Sequence, residues 1–219
     1  MTKDVNHRLR ALIASCKRGN RRKQEELYLQ FYNYALSICL RYSRDREEAI
    51  EIVNDGFVKI FTKLDKYTKN VSFKSWIRKI MVNTAIDYYR RHKEHYHHVD
   101  ISYAKYEQVR HWDVLDKISE REIIGVIQLL PPSYRLVFNL YVIEGYKHEE
   151  VARKLNISIG TSKSNLAMAR SKLKRMILKV CTERIAKVIQ PGTAGNKQGP
   201  SASLPADNRI AKKTSMVKD

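Results

Sequence analysis

Cysteine is nearly absent. Cys16, Cys39 and Cys181 are odd in number, far apart and without CxxC spacing. That argues against a disulfide framework or a zinc site and fits a reducing, cytoplasmic setting. No long apolar run exists either: the longest uncharged helical stretch, Tyr28 to Leu40, is too short and too polar to span a bilayer. The opening MTKDVNHRLR holds no apolar signal core, so neither export nor stable membrane insertion is expected. Also missing are clustered carboxylates at metal-ligand spacing, a Walker loop and a GxSxG elbow. The expectation is a protein with no catalytic residues, no metal, no cofactor and no small-molecule substrate. An enzyme acting on nucleic acid, such as a nuclease, is left without machinery. Proline and glycine are sparse, five and eight, and three of each fall in the last 30 residues, which hold no aromatic. Such a segment buries too little apolar surface to offset its ordering entropy, so 189–219 is expected to be a disordered tail.

Acid is the scarcer charge: Asp+Glu 23 against Lys+Arg 42, a formal +19. Lys and Arg displace condensed counterions from phosphates, so nucleic acid is the first partner to consider, with a steep salt dependence. A basic proteome and an anionic membrane surface are the other readings. With 43% hydrophobic residues over 219 positions, one large or two small domains can bury a core.

The periodicity is helical throughout, without internal repeats. Gly19-Asn20 breaks the first segment, and Leu27, Phe31, Tyr34, Ile38 and Tyr42 are spaced as one buried stripe. Ser43 is the expected N-cap of a helix to about Leu64. A polar loop, DKYTKNVS, precedes a helix from Phe73 to about His92. Residues 94–117 lose the periodicity and read as a flexible linker. A second helical pattern covers 118–188, with Pro131-Pro132 starting one helix. The expected organisation is all-α: a helical domain over 1–93, the linker, a second helical domain over 118–188, and the tail.

The most specific stretch is GYKHEEVARKLNISIGTSKSNLAMARSKLKRMIL, 145–178. Val151, Ala152 and Leu155 place one face of a short helix inward. NISIGTS is the turn, with Gly160 supplying a backbone shape other residues avoid. A second helix from about Thr161 has Leu166, Ala169, Leu173 and Ile177 inward. Its outer face carries Lys163, Ser164, Asn165, Arg170, Lys174 and Arg175, and 161–190 holds eight Lys/Arg against one acid, net +7. This is the pattern of a helix-turn-helix, whose second helix enters the major groove and reaches base edges and phosphates. The plainer alternative is a helical hairpin with a solvated basic face.

Two N-terminal helices contrast with each other. Asp45 to Asp65 holds six acids against three bases, net −3 within a basic chain. Ile50, Val53, Phe57, Ile60, Phe61 and Leu64 form its apolar face, with Glu48, Glu51 and Asp55 on or near the opposite one. Either this is a solvated charged face, or it docks a basic protein partner. The 73–93 segment holds six bases against one acid, net +5. Ile77, Ile80, Met81, Thr84 and Tyr88 point inward, and Lys79, Asn83, Asp87 and Arg90 lie on the other side. That face offers phosphate contacts together with amide and carboxylate groups for base edges. Tyr67, Phe73 and Trp76 beside it suit unstacked single-strand bases, or simply core packing.

Taken together, residues 20–93 and 120–178 resemble the extracytoplasmic-function class of bacterial RNA polymerase sigma factors. EAIEIVNDGF, 48–57, resembles the family's polymerase-docking helix, which implies polymerase contacts by Glu48, Glu51, Asn54 and Asp55. Asn54-Asp55 stands where a Gln-Glu pair is common, and Gly56 replaces a larger residue. FKSWIRKIMVNTAIDYYRR is similar to the reader of the −10 element, which implies roles in strand opening and −10 recognition for Trp76, Lys79, Asn83, Asp87, Arg90 and Arg91. Residues 130–166 resemble the −35 reader, which implies DNA contacts by Ser158, Thr161, Lys163, Ser164, Asn165 and Arg170. Many relatives carry Arg at the place of Asn165. The resemblance implies an alternative sigma factor, partnered by core RNA polymerase, promoter DNA and an anti-sigma factor. The competing reading is a dimeric helix-turn-helix regulator that does not bind core polymerase. His92, His95, His97 and His98 belong either to a solvated linker or to a metal or pH sensor.

Overall fold

The computed structural model describes residues 2–68, 70–92 and 120–189. The expected linker, and the tail from residue 190, lie outside the described residues, as do His95, His97 and His98. Every regular element among the described residues is helical.

Helix α1 (Thr2–Lys17) buries Leu12, Ile13 and Cys16 and stops at Gly19, whose φ of +80° suits a residue without Cβ. Asn20 then caps α2 (Arg21–Cys39), its side-chain oxygen accepting the Lys23 amide at 3.1 Å. The expected stripe lies inward, with Leu27, Phe31, Ile38 and Tyr42 buried and Tyr34 half-buried.

Helix α3 (Arg46–Thr62) starts later than expected. Asp45 is its cap and accepts the Glu48 amide at 2.8 Å, while the Glu48 carboxylate accepts the Arg44 amide. Ser43 is not the cap: it is fully buried in the turn after α2, with its hydroxyl on the Leu40 carbonyl. A carboxylate nearer the helix end complements the helix dipole better than a hydroxyl two residues earlier. A single 3₁₀ turn (Leu64–Lys66) leads toward α4 (Phe73–Arg91), capped by Ser72 through the Ser75 amide.

The second half holds α5 (Glu120–Gln128) and α6 (Pro132–Phe138), the latter with proline in its first turn as expected. A π-helical turn (Asn139–Ile143) continues α6. Helices α7 (His148–Leu155) and α8 (Ile159–Ile189) follow. Helices α2, α3 and α4 pack on one another, α1 lies on α2, and α8 packs against α6 and α7.

The apolar core does not stop between the two halves. One continuous cluster joins Leu27, Ile38, Ile52, Ile60, Ile77 and Met81 to Leu136, Val137, Leu140, Val151 and Leu155. A smaller cluster, Val126, Leu130, Ala169 and Leu173, closes the far side of α8. Losing one large side chain from such a core costs about 2–5 kcal/mol.

Gly56 fixes how near α3 comes to α4. A Cβ there would collide with the thioether of Met81, which is fully buried and has little room to move. Gly56→Val is expected to destabilise the chain by about 1–3 kcal/mol through overpacking, read as a lower melting temperature. Adding Met81→Ala should recover part of that loss. A Gly56→Val chain that melts like the wild type would place the contact elsewhere.

Candidate nucleic-acid and docking interface

The helix-turn-helix forms, with a shorter turn than expected. Asn156 takes the left-handed bend at φ 54°, and the Ile157 amide reaches back to the Ala152 carbonyl at 3.1 Å. Gly160 is not the bend residue but lies inside α8. Asn tolerates the left-handed region, so the bend needs no glycine. Ser158 begins the second helix: its hydroxyl accepts the Thr161 amide at 2.9 Å and lies 2.8 Å from the Thr161 hydroxyl. Ser158 and Thr161 are therefore already engaged in capping while still exposed. Lys163, Ser164 and Arg170 are exposed, and Asn165 is half-buried. Leu166, Ala169 and Leu173 pack inward as expected, but Ile177 is 42% exposed, because α8 by then has run past its partners. Buried Ser162 and His148 bond at 2.9 Å, tying α7 to α8, and the His148 ring stacks on Tyr141.

On α3, Glu51, Asn54 and Asp55 follow one another at helical spacing and form an open ridge. Glu48 does not join them. It is 5% exposed, and its carboxylate accepts the Arg44 amide. Burial pushes its carboxyl above the usual range, and the Arg44 amide and Arg135 pull it partly back. Its place in the cap geometry turned it inward, whatever its charge suggested.

The ridge is wired to α4. The Asp55 carboxylate meets Arg91 at 2.7 Å, and Glu51 accepts the Tyr88 hydroxyl at 2.7 Å. The Asn54 side-chain oxygen accepts Tyr28 at 3.2 Å. Tyr88 is held well above the ordinary phenol range by burial and by its bond to Glu51. Asp87 pairs with Lys59 at 2.9 Å and lies 3.9 Å from Arg90. Exposed pairs of this kind add about 0–1 kcal/mol each. Their effect is to hold side chains in place more than to hold the fold together.

On α4, Trp76, Lys79, Asn83, Asp87 and Arg90 share one helical face. Phe73 is buried, 5.2 Å from Phe31, so its part is packing. Trp76 is half-buried, stacked on Phe73 at 5.6 Å and 5.3 Å from Tyr67. Arg91 lies on the neighbouring edge toward α3. His92 ends α4 with Nδ1 2.9 Å from the Tyr88 carbonyl and its ring stacked on Tyr88. Among the described residues no three His, Cys, Asp or Glu come together as a metal site, and no helix is long and apolar enough to cross a membrane.

Sequence reasoning overlooked Arg78, Glu144, Asn139 and Lys154, which join the two halves, and expected of Tyr42 only its place in the buried stripe. Arg78 forks onto Glu144 at 2.7 and 2.9 Å, and Tyr42 donates to the same carboxylate at 3.1 Å. The available signal was Asn139 and Glu144 interrupting an otherwise apolar helical run.

Comparison with known proteins gives the same pairing of parts. The model of sigma-70 region 2 matches residues 27–95, and that of sigma-70 region 4 matches 120–173. The RNA polymerase sigma-H factor of Pseudomonas aeruginosa is 24% identical over 192 residues, 82% of this chain and 93% of its own. The ECF RNA polymerase sigma factor SigW of Bacillus subtilis is 26% identical over 177 residues, 75% of this chain and 94% of its own. A solved sigma factor, RpoE in complex with the anti-sigma factor NepR from Bartonella quintana, aligns at 19% identity and a TM-score of 0.44, over 70% of this chain and 95% of that one.

Removing the Ser158 cap should be felt in the helix-turn-helix first. Ser158→Ala is expected to lose about 1 kcal/mol, seen as a lower melting temperature. Hydrogen exchange at the amides of 159–162 should rise before the rest of α8 is affected.

Proposed function

The chain belongs to the sigma-70 family of bacterial RNA polymerase initiation factors, in its extracytoplasmic-function class, and on that premise we propose how its surfaces divide the work. As an alternative sigma factor it binds core RNA polymerase and directs promoter-specific initiation by reading the −35 duplex and the melted −10 strand. It acts by binding, not by catalysis. The polymerase and promoter DNA are its partners, an anti-sigma protein is the partner that holds it in reserve, and its place of work is the cytoplasm.

Glu51, Asn54 and Asp55 form the polymerase-docking ridge. Glu48 supports it from within by fixing the start of α3. The Trp76, Lys79, Asn83, Asp87 and Arg90 face of α4, with Arg91 at its edge, takes the −10 non-template strand as it unstacks. Unstacking a base costs a few kcal/mol, which an aromatic platform and basic groups offset. The exposed Thr161, Lys163, Ser164 and Arg170, with Asn165 beside them, read the −35 duplex from the N-terminal part of α8, and Ser158 orients that end. The observation that carries the reading is the exposed acidic ridge on α3 of a strongly basic chain. DNA binding gives no reason for such a ridge, whereas a basic protein partner does.

Run-off transcription with purified core polymerase tests the division. Asp55→Arg should abolish polymerase binding and transcription together. Lys163→Ala should keep polymerase binding and weaken the −35 contact by up to about tenfold, the scale of one lost charged contact. Equal loss of polymerase binding in both variants would refute it, and a wild-type chain that fails to bind core polymerase at low salt would remove the reading altogether.

A further inference from the structure

The three outward groups of the α3 ridge are not alike. Glu51 and Asp55 are carboxylates, each with one oxygen already taken, by the Tyr88 hydroxyl and by Arg91. Asn54 lies between them, exposed and neutral. A third carboxylate at this helical spacing would add like-charge repulsion, so a neutral side chain suits the ridge on that ground alone. The amide offers more than neutrality, because its direction is set from outside α3.

Tyr28 on α2 sets it. Its hydroxyl donates to Asn54 Oδ1 at 3.2 Å where α2 packs on α3. The Tyr28 ring has little freedom, lying 4.6 Å from the ring of buried Phe57 and 5.4 Å from that of Tyr32. Burial, and then Tyr32, hold its phenol above the ordinary range, so near neutral pH the hydroxyl keeps its proton and can donate. With Oδ1 turned to that donor, the Asn54 amide nitrogen is directed away from Tyr28, and among the described residues it makes no hydrogen bond. Glu51, Asn54 and Asp55 therefore present acceptor, donor and acceptor in turn.

We propose that Tyr28 is a positioning residue for polymerase docking: it aims the Asn54 amide nitrogen outward, so the ridge selects a partner surface whose basic groups flank a carbonyl or carboxylate acceptor. The inference rests on the assignment of the ridge to core polymerase. Two carboxylates alone would accept almost any basic surface. A fixed N–H donor between them discriminates, because a partner with no acceptor opposite leaves that donor buried and unpaired. Holding the amide in place before binding also lowers the rotamer freedom lost on docking.

Equilibrium binding of the full chain to core RNA polymerase tests it. Tyr28→Phe keeps the ring on Phe57 and removes only the hydroxyl. It should weaken binding by about fivefold, the scale of one neutral hydrogen bond, with an unchanged melting temperature. Asn54→Asp keeps an oxygen for Tyr28 and adds a negative charge that a merely basic partner would welcome. It should nonetheless weaken binding by about tenfold, because the donor is gone. Asn54→Ala should lose a similar amount, and in that background Tyr28→Phe should cost nothing further. Asn54→Asp, at an exposed site, carries the test if Tyr28→Phe fails to fold. An Asn54→Asp chain that binds as tightly as the wild type, or more tightly, would overturn the donor role. A Tyr28→Phe loss that persists with Asn54→Ala would overturn the positioning role. Asp55→Arg separates the two levels of failure. If it loses polymerase while the variants at 28 and 54 do not, this inference falls and the ridge assignment stands. If it too binds like the wild type, the ridge assignment itself falls.

Discussion

The contact between α3 and α4 is the constraint on which the outer surface of the N-terminal half depends. Gly56 gives Met81 room, the two helices come close, and their outward faces become neighbours. One face is acidic and the other basic. Apart, each would be a solvated charged strip. Side by side they pin one another, Asp55 to Arg91, Lys59 to Asp87 and Glu51 to Tyr88. These bonds are too exposed to stabilise the fold much. They do limit how far each side chain can move, which lowers the ordering cost of meeting a rigid partner.

The same economy of surface appears between the halves. A core that continued from α2 and α4 into α6 and α7 by apolar contact alone could slide. Arg78, Glu144 and Tyr42 give it one register. Burying a charge pair is costly unless its remaining lone pairs are satisfied, and here the second Glu144 oxygen is shared between Arg78 and Tyr42. Removing one partner therefore leaves the other buried without its counter-charge, which is costly.

Much of this was legible from residue pattern. The α2 stripe, the break at Gly19-Asn20, Pro132 in the first turn of α6 and both helices of the helix-turn-helix follow from periodicity and turn chemistry, which are local. The departures arise where a local rule met a tertiary demand. Ser43 has the right chemistry for a cap, but the chain needed two more residues to turn, and Asp45 took the position. Glu48 has the charge of a surface residue, but the hydrogen bonds at the start of α3 hold it inside. Gly160 could have made the bend, yet Asn156 reached it first at the end of α7. Ile177 keeps the core spacing after the core has ended. The pairing of Arg78 with Glu144 was unreadable because the two lie 66 residues apart: the interrupted apolar run marks Glu144 as unusual but does not point to its partner.

The central claim is that a basic, DNA-reading chain keeps one acidic ridge for its protein partner. Hydrogen exchange of the full chain, with and without core RNA polymerase, tests it most directly. The account predicts new protection over 46–62, with α8 unprotected until promoter DNA is added. Core polymerase that protects only α8, or nothing at all, would contradict it.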